Sequence, residues 1–323
     1  MDFRWDILVE YAPFFLKGTL LTIGLSIASI LIGTILGLFI GLGKIMKNKL
    51  LAWPFTIYIT FFRGTPLLVQ IFIWFFAVFL PMPRIQEALK VGPVYFSNRG
   101  IAIPWFETHS NTLLWILIGI LGIIFTVFIY KLLLKKEMET GKRKFPLIGS
   151  VTFFLVITLG TFLTTQTGPV DIHTPIVEGR NFVGGYTLSP GFSAILLGLV
   201  IYTSTYIAEI IRAGISGVPK GQIEAAKALG LKSSTSLRLV IFPQAIRIII
   251  PPLTSQYLNL IKNSSLAVAI GFQDIVSVGG TVMNQTGRMV EGVTIMIAVY
   301  LICSLVTSLL MNYFNKKAQL VER

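Results

Sequence analysis

The chain has one cysteine and two histidines in 323 residues, which removes most metal and disulfide chemistry at the outset. Cys303 has no partner within the chain, so neither a disulfide framework nor a cysteine metal site is available, and His109 and His173 add no metal motif. Charge is scarce as well: 13% of residues are Asp, Glu, Lys or Arg against 54% hydrophobic, with a mean hydropathy of +0.78. That balance excludes a soluble globular domain and reads as a polytopic membrane protein. There is no GxxxxGK(S/T) phosphate loop, no nucleophile elbow, no zincin motif and no pair of carboxylates inside an apolar run, so catalytic residues and metal ligands are both set at none. If ATP drives this protein, the motor is another polypeptide. No repeat of about 20 to 50 residues and no low-complexity tract is present. A removable signal peptide is not expected, because the first apolar run is too long and has no small-residue cleavage site. The formal net charge of +13 does not indicate nucleic acid, since the basic residues sit in short connections between apolar runs and not on one polar face.

What is present is apolar length. Runs of about twenty or more apolar residues, enough to cross a bilayer as a helix, cover residues 14–42, 50–80, 113–134, 145–165, 192–215, 237–261 and 290–314. The basic residues fall in alternate connections: Lys44, Lys47 and Lys49; Lys131, Lys135, Lys136, Lys142, Arg143 and Lys144; Arg212, Lys220, Lys227, Lys232, Arg238 and Arg247; Lys316, Lys317 and Arg323. By the positive-inside rule the N-terminus is expected outside and the C-terminus inside. Three regions follow: residues 1–80 with the first two spans, 81–190 as an inserted region with two extra spans and outside loops, and 191–323 with the remaining spans. The insertion is either a scaffold or, through the loops at 98–109 and 168–186, a contact for an external partner. Gly33, Gly37 and Gly41 recur every four residues, a small-residue stripe that permits close helix contact.

The longest polar interruption in the second half covers residues 218–252. Pro219 suits the first turn of a helix and Gly230 the left-handed stop after it, which predicts a helix over residues 220–229. At 1.5 Å per residue it spans about 15 Å, half of a hydrocarbon core, and it carries Lys220, Glu224 and Lys227. It therefore lies in water beside the membrane. Ala225, Ala226, Ala228 and Gly230 give it small side chains that another protein's groove can approach closely.

Glu224-Ala225-Ala226, three residues, Gly230, nine residues and then Val240-Ile241-Phe242-Pro243 resembles the EAA loop of the permease subunits of ABC importers. TYIAEIIRAGI from Thr205, FFRGTPLLVQ from Phe61 and KNSSLAVAI from Lys262 are similar to the polar amino acid branch of that family, and NRGIAIP from Asn98 resembles the longer permease of general L-amino acid importers. The resemblance implies an all-α fold, a polytopic transmembrane bundle with a type I importer core of five helices plus the inserted hairpin. It implies that residues 218–243 couple to a cytoplasmic ATPase through Gly221, Glu224, Ala225, Ala226 and Gly230. The implied partners are a second, homologous permease forming a heterodimer, two copies of the ATPase, an extracytoplasmic amino acid-binding protein and membrane lipid, in the bacterial inner membrane. No cofactor is implied in this chain; ATP and Mg belong to the partner ATPase. A stand-alone secondary transporter or channel is the alternative, and it would need inverted repeats or embedded proton carriers.

Polar residues inside apolar runs carry the remaining information, because a charge at bilayer depth costs about 2.5 to 3.5 kcal/mol. Arg63 falls near the middle of its span, and Gly64 and Pro66 weaken the helix beside it. Its guanidinium is a candidate for a substrate carboxylate, or for a structural ion pair with Glu209 or a second subunit. Glu209, one turn before Arg212, reads as a structural pair. In the sixth span Pro251-Pro252 predicts a break, after which Gln256, Asn259 and Asn263 put amides on one helical face ahead of Ser264 and Ser265. Those amides suit a polar zwitterion or hydrogen bonding between helices. The resemblance adds Thr65, Gln256, Asn263 and Ser264 as pocket positions. It also implies neutral polar and acidic substrates, since Gln256 and Asn263 stand where relatives for basic amino acids carry carboxylates.

Overall fold

In the computed structural model of the chain, which describes residues 9–108, 110–141 and 145–318, the apolar runs are helices. His109, Lys142, Arg143, Lys144 and Arg323 lie outside the described residues. In chain order the helices are α1 (Ala12–Lys44), α2 (Lys49–Gly64), α3 (Leu67–Phe72), α4 (Thr112–Thr140), α5 (Pro146–Thr165), α6 (Pro190–Ser216), α7 (Lys220–Ala228), α8 (Ser233–Ser236), α9 (Phe242–Asn263), α10 (Ile275–Thr286) and α11 (Met289–Ala318). Hydrocarbon demands this, because no water is there to bond an open N–H or C=O. Polar side chains inside the spans obey the same rule: the hydroxyls of Thr22, Ser26 and Thr34 donate to the carbonyls of Gly18, Thr22 and Ile30, four residues back. Among the described residues six helical stretches are long and apolar enough to cross a membrane, and a bent pair makes up a seventh.

Two of the expected spans differ in detail. Residues 50–80 are not one straight helix: α2 and the stretch Leu67–Phe79 meet at 101°. Thr65 and Pro66 between them are extended, because proline lacks an N–H and its ring pushes the preceding residue out of the helical region. In the sixth span the expected break at Pro251-Pro252 is absent. α9 runs through both prolines, with α6 and α11 packed along it, and the irregularity lies earlier, in a wide π turn at Leu237–Ile241.

The described chain forms two compact units, Met1–Met82 with Ser189–Arg323, and Pro83–Leu188. In the first, α1 and α6 share the most extensive contact. A Cβ placed on Gly37 would sit 2.7 Å from Ile207 Cβ and 2.9 Å from the Ser204 carbonyl oxygen, and one on Gly41 2.8 Å from the Ala208 carbonyl oxygen. Cross-helix hydrogen bonds fasten neighbours to this pair: Tyr257 and Thr34 hydroxyls at 2.8 Å, Tyr58 and Ser204 hydroxyls at 2.9 Å, and the Ile275 N–H to Thr22 Oγ1 at 3.1 Å. Asp274 caps α10, its Oδ1 accepting from the Ser277 N–H at 2.8 Å, and burial pushes its carboxyl above the usual carboxylate range.

In the second unit α4 and α5 form a hairpin, and the segments read from sequence as loops form short antiparallel strands. These are β1 (Leu89–Val91), β2 (Val94–Ser97), β3 (Gly100–Ile103), β4 (Trp105–Glu107), β5 (Asp171–His173), β6 (Ile176–Glu178), β7 (Asn181–Val183) and β8 (Tyr186–Leu188). One sheet has the order β1-β2-β3-β8, and β4-β5 and β6-β7 are separate pairs. Runs of three or four residues are too short for an alternating pattern to register in the sequence.

The glycine stripe yields a graded prediction. Gly37→Ala and Gly41→Ala should each cost about 1–3 kcal/mol by overpacking the α1–α6 contact. Gly33→Ala, whose Cβ would meet nothing closer than the Val200 carbonyl oxygen at 3.7 Å, should be nearly neutral. Thermal unfolding in detergent checks this, and equal melting of all three variants would show that the close approach does not set stability.

Candidate functional site

The short helix α7 follows α6 after a three-residue connection and starts at Lys220 as the spacing suggests, with Pro219 as its cap; it ends one residue earlier than expected, since Leu229 already lies beyond it. The stop is a Schellman turn, with the Leu231 N–H on the Ala226 carbonyl at 3.1 Å and the Gly230 N–H on the Lys227 carbonyl at 2.9 Å. Gly230 stands at φ +70, a left-handed position where a side chain would be strained. Gly221, Glu224, Ala225 and Ala228 are exposed. Ala226 is a correction to the expected outward face: it is 3% exposed and turned inward, where α7 packs on the Ser233–Ile241 segment. Leu229 takes its place on the outside at 78% exposed, a large apolar side chain that sequence reasoning passed over. Gln244 Nε2 donates to Gln222 Oε1 at 3.3 Å and ties the helix to α9.

Glu209, near the end of α6, is fully engaged. Lys44 at the end of α1 pairs with Oε1, and Arg212 Nε donates to Oε2 at 2.8 Å. This answers one of the two structural options for Arg63, which is not paired with Glu209. The Arg63 guanidinium lies 4.9 Å above the ring of Tyr206, whose hydroxyl is 2.9 Å from that of Tyr202 one turn earlier. Tyr206 and Glu209 are therefore neighbours on one helix face, one holding Arg63 and the other holding α1.

At the bend, the carbonyls freed by Pro66 are met by a side chain that the sequence did not single out. Gln70 is buried, and its Nε2 lies 2.7 Å from the Phe62 carbonyl, 3.2 Å from the Thr65 carbonyl and 2.8 Å from Thr65 Oγ1. The Thr65 hydroxyl itself lies over the carbonyls of Phe61 and Phe62. Thr65 is thus part of the clasp, while Arg63 and Gly64 remain exposed.

On α9, Gln256 is buried, Asn263 half-buried and Asn259 exposed, and among the described residues none of the three amides makes a hydrogen bond. Ser264 is fully buried and donates to the Ile261 carbonyl at 2.7 Å. The segment Ser264–Ile270 packs against α3 and α6, so the residue after the bend, the tyrosine-bearing helix and the end of α9 meet in one place. No hydrogen bond joins Arg63 or Thr65 to Gln256, Asn259, Asn263 or Ser264. Among the described residues no three His, Cys, Asp or Glu side chains cluster as a metal centre requires.

Residues 146–319 match the family described as the inner membrane component of binding-protein-dependent transport systems. The chain belongs to this family. Across 97% of its length it is 44% identical to the amino-acid ABC transporter permease protein YhdX of Escherichia coli K12, covering 80% of that protein. It is 43% identical to the general L-amino acid transport system permease protein AapQ of Rhizobium johnstonii, over 97% of this chain and 78% of that one. The glutamate/glutamine/aspartate/asparagine permease protein BztB of Rhodobacter capsulatus is 35% identical over 87% of this chain and 73% of its own. Among solved structures, a chain from an amino acid ABC transporter superposes with a TM-score of 0.59 at 24% identity, over 98% of this chain and all of the other, which establishes the shared fold. As a member of this family the chain is a permease subunit and not itself an enzyme, and the ATPase is a separate polypeptide.

The clasp at the bend makes Gln70 testable without reference to transport. Gln70→Leu keeps the bulk and removes the donor, leaving the Thr65 carbonyl without it and the Phe62 carbonyl with only the longer contact to the Thr65 hydroxyl. It should lower stability by about 1–3 kcal/mol, whereas Gln70→Glu, which also lacks the donor and adds charge, should lose more. Melting temperatures in detergent equal to wild type for both would show that the bend does not rely on Gln70.

Proposed function

We propose that this permease imports polar L-amino acids, with glutamine, asparagine, glutamate and aspartate favoured, powered by two copies of a cytoplasmic ATPase that hold ATP and Mg. A second, homologous permease completes the membrane unit, and an extracytoplasmic binding protein delivers the ligand. The N-terminus lies outside and the C-terminus and α7 in the cytoplasm, as the distribution of Lys and Arg favours. Residues 1–80 and 191–323 make the permease core, and 81–190 an insertion into it. What carries the reading is α7: a short, tightly capped helix outside the spans, with Gly221, Glu224 and Ala225 exposed and Leu229 beside them, in a chain whose relatives are amino acid ABC permeases.

Coupling follows from the short connection between α6 and α7. α6 leads into α7 through three residues, so a displacement of α7 by the closing ATPase is passed up α6. Glu209 shares the movement with α1, and Tyr206, about 15 Å from Ser216 along α6, carries it to Arg63. At the ligand, Arg63 offers a two-pronged donor to the α-carboxylate. The unbonded amides of Gln256, Asn259 and Asn263 meet the polar side chain. The hydroxyl of Thr65, whose proton is already given to helix carbonyls, can only accept, which suits an ammonium group, while Ser264, fully buried with its hydroxyl on the Ile261 carbonyl, supports the wall behind the amides. Without carboxylates among these positions, a cationic side chain would have to be desolvated uncompensated.

Reconstituted with its partners, Gly230→Leu or Ala225→Arg should abolish copurification of the ATPase, or reduce transport by at least about tenfold, with the permease still folded; a strained left-handed leucine alone costs about 1–2 kcal/mol. Retention of both association and uptake would rule out α7 as the docking element. For the ligand, competition against labelled glutamine uptake compares wild type with the double variant Gln256→Glu, Asn263→Asp. Arginine should compete poorly with wild type and better with the variant; an unchanged ranking excludes these two amides as selectivity determinants.

A further inference from the structure

The unit formed by Pro83–Leu188 carries an arginine cluster that transport chemistry does not use. A cleft of about 410 Å³ is lined by Arg84, Ile85, Gln86, Asn98, Arg99 and Arg180, three guanidinium groups with no carboxylate among them. None of the three arginines forms an ion pair among the described residues, and all three are exposed. The arginines come from three separate turns, each stiffened locally. Arg84 leads a 3-10 turn, Ile85–Glu87, closed by the Glu87 N–H on the Arg84 carbonyl at 2.9 Å and anchored by buried Ile85. Arg99 stands in the two-residue β2–β3 turn between paired Ser97 and Gly100, its N–H on the buried Ser97 hydroxyl at 3.2 Å, while the Asn98 N–H bonds the Pro83 carbonyl at 2.9 Å. Arg180 stands in the equally tight β6–β7 turn between Glu178 and Asn181.

Positive charge is thus gathered at one opening of a unit whose strand segments also carry Glu87, Glu107, Asp171 and Glu178, none of which lines the cleft. Guanidinium groups held apart on rigid turns, unpaired and facing water, are arranged for an anion supplied from outside. A free amino acid is a poor occupant, because its ammonium group would meet three cations and no carboxylate. Both strand-bearing segments flank the α4–α5 hairpin, whose connection is the basic one, so they lie outside the membrane on the orientation proposed above. The family to which the chain belongs serves binding-protein-dependent transport, and the proposed function puts that binding protein on the same side.

We infer that the Arg84, Arg99 and Arg180 cleft is a docking site for acidic side chains on the binding protein, which it steers and orients against the permease. This rests on the proposed function. Rim charges of this kind act on encounter and are screened by salt.

The test uses the complete importer in nanodiscs with its own binding protein, reading transport-coupled ATPase rate against binding-protein concentration at low and high salt. The triple variant Arg84→Gln, Arg99→Gln, Arg180→Gln should raise the half-saturating concentration about five- to tenfold at low salt, leave the maximal rate unchanged and flatten the salt dependence. Replacing the same three residues with Lys should restore most of it. Half-saturation within twofold of wild type in the Gln variant overturns the inference. So does an effect that disappears in nanodiscs of phosphatidylcholine alone, which would make an anionic lipid headgroup the occupant. If the wild-type complex shows no stimulation by any binding protein, the proposed function fails and not the cleft.

Discussion

The close approach of α1 and α6 is the contact on which the rest of this structure depends. Gly37 and Gly41 bring the two backbones so near that Ile207, the Ser204 carbonyl and the Ala208 carbonyl fill the space a side chain would occupy. In a bilayer no hydrophobic force favours one apolar neighbour over another, so van der Waals fit of this kind decides which helices associate. The pair then serves as a frame. α2 reaches it through Tyr58, whose hydroxyl meets both the Ser204 hydroxyl and the Ile201 carbonyl, α9 through Tyr257 on Thr34, and α10 through the Ile275 N–H on Thr22.

On that frame α6 has two kinds of work. Its interior face is buried and made of small and branched residues, while one edge carries Tyr202, Tyr206, Glu209 and Arg212 in consecutive turns. Glu209 compensates Lys44 and Arg212 together, which explains how three charges persist near the end of two packed helices. Tyr206 lies on the same edge and faces Arg63, at the point where α2 stops. A helix that holds its neighbour by an ion pair and a guanidinium by an aromatic face can shift both when its end is moved, and that end runs into α7.

The bend after α2 illustrates how irregular backbone is tolerated at membrane depth. Pro66 makes the break and Gln70, one turn further on, supplies the donors that the freed carbonyls need. Polar groups that hold the backbone in this way are spent on structure. Thr65 and Ser264 give their hydroxyl protons to helix carbonyls, whereas the amides of α9 make no hydrogen bond among the described residues.

Much of this was legible in the residues themselves. Seven apolar stretches, the small-residue stripe, the capped helix around Glu224 and the absence of any nucleotide loop follow from composition and spacing, because a bilayer imposes length and backbone satisfaction on any chain that crosses it. The tertiary structure decided what spacing cannot encode. It turned Ala226 inward and left Leu229 outside, because which side of a short helix is buried depends on the segment packed beneath it. Glu209 went to Lys44 and Arg63 to Tyr206, because partners distant in sequence are chosen by helix crossing. α9 kept its course through Pro251 and Pro252 because neighbouring helices support a strand of backbone that its own sequence would interrupt. Arg84, Arg99 and Arg180, spread over some hundred positions, became one cleft only when three turns folded together, since charge acts over distance in space and a sequence records only distance along the chain.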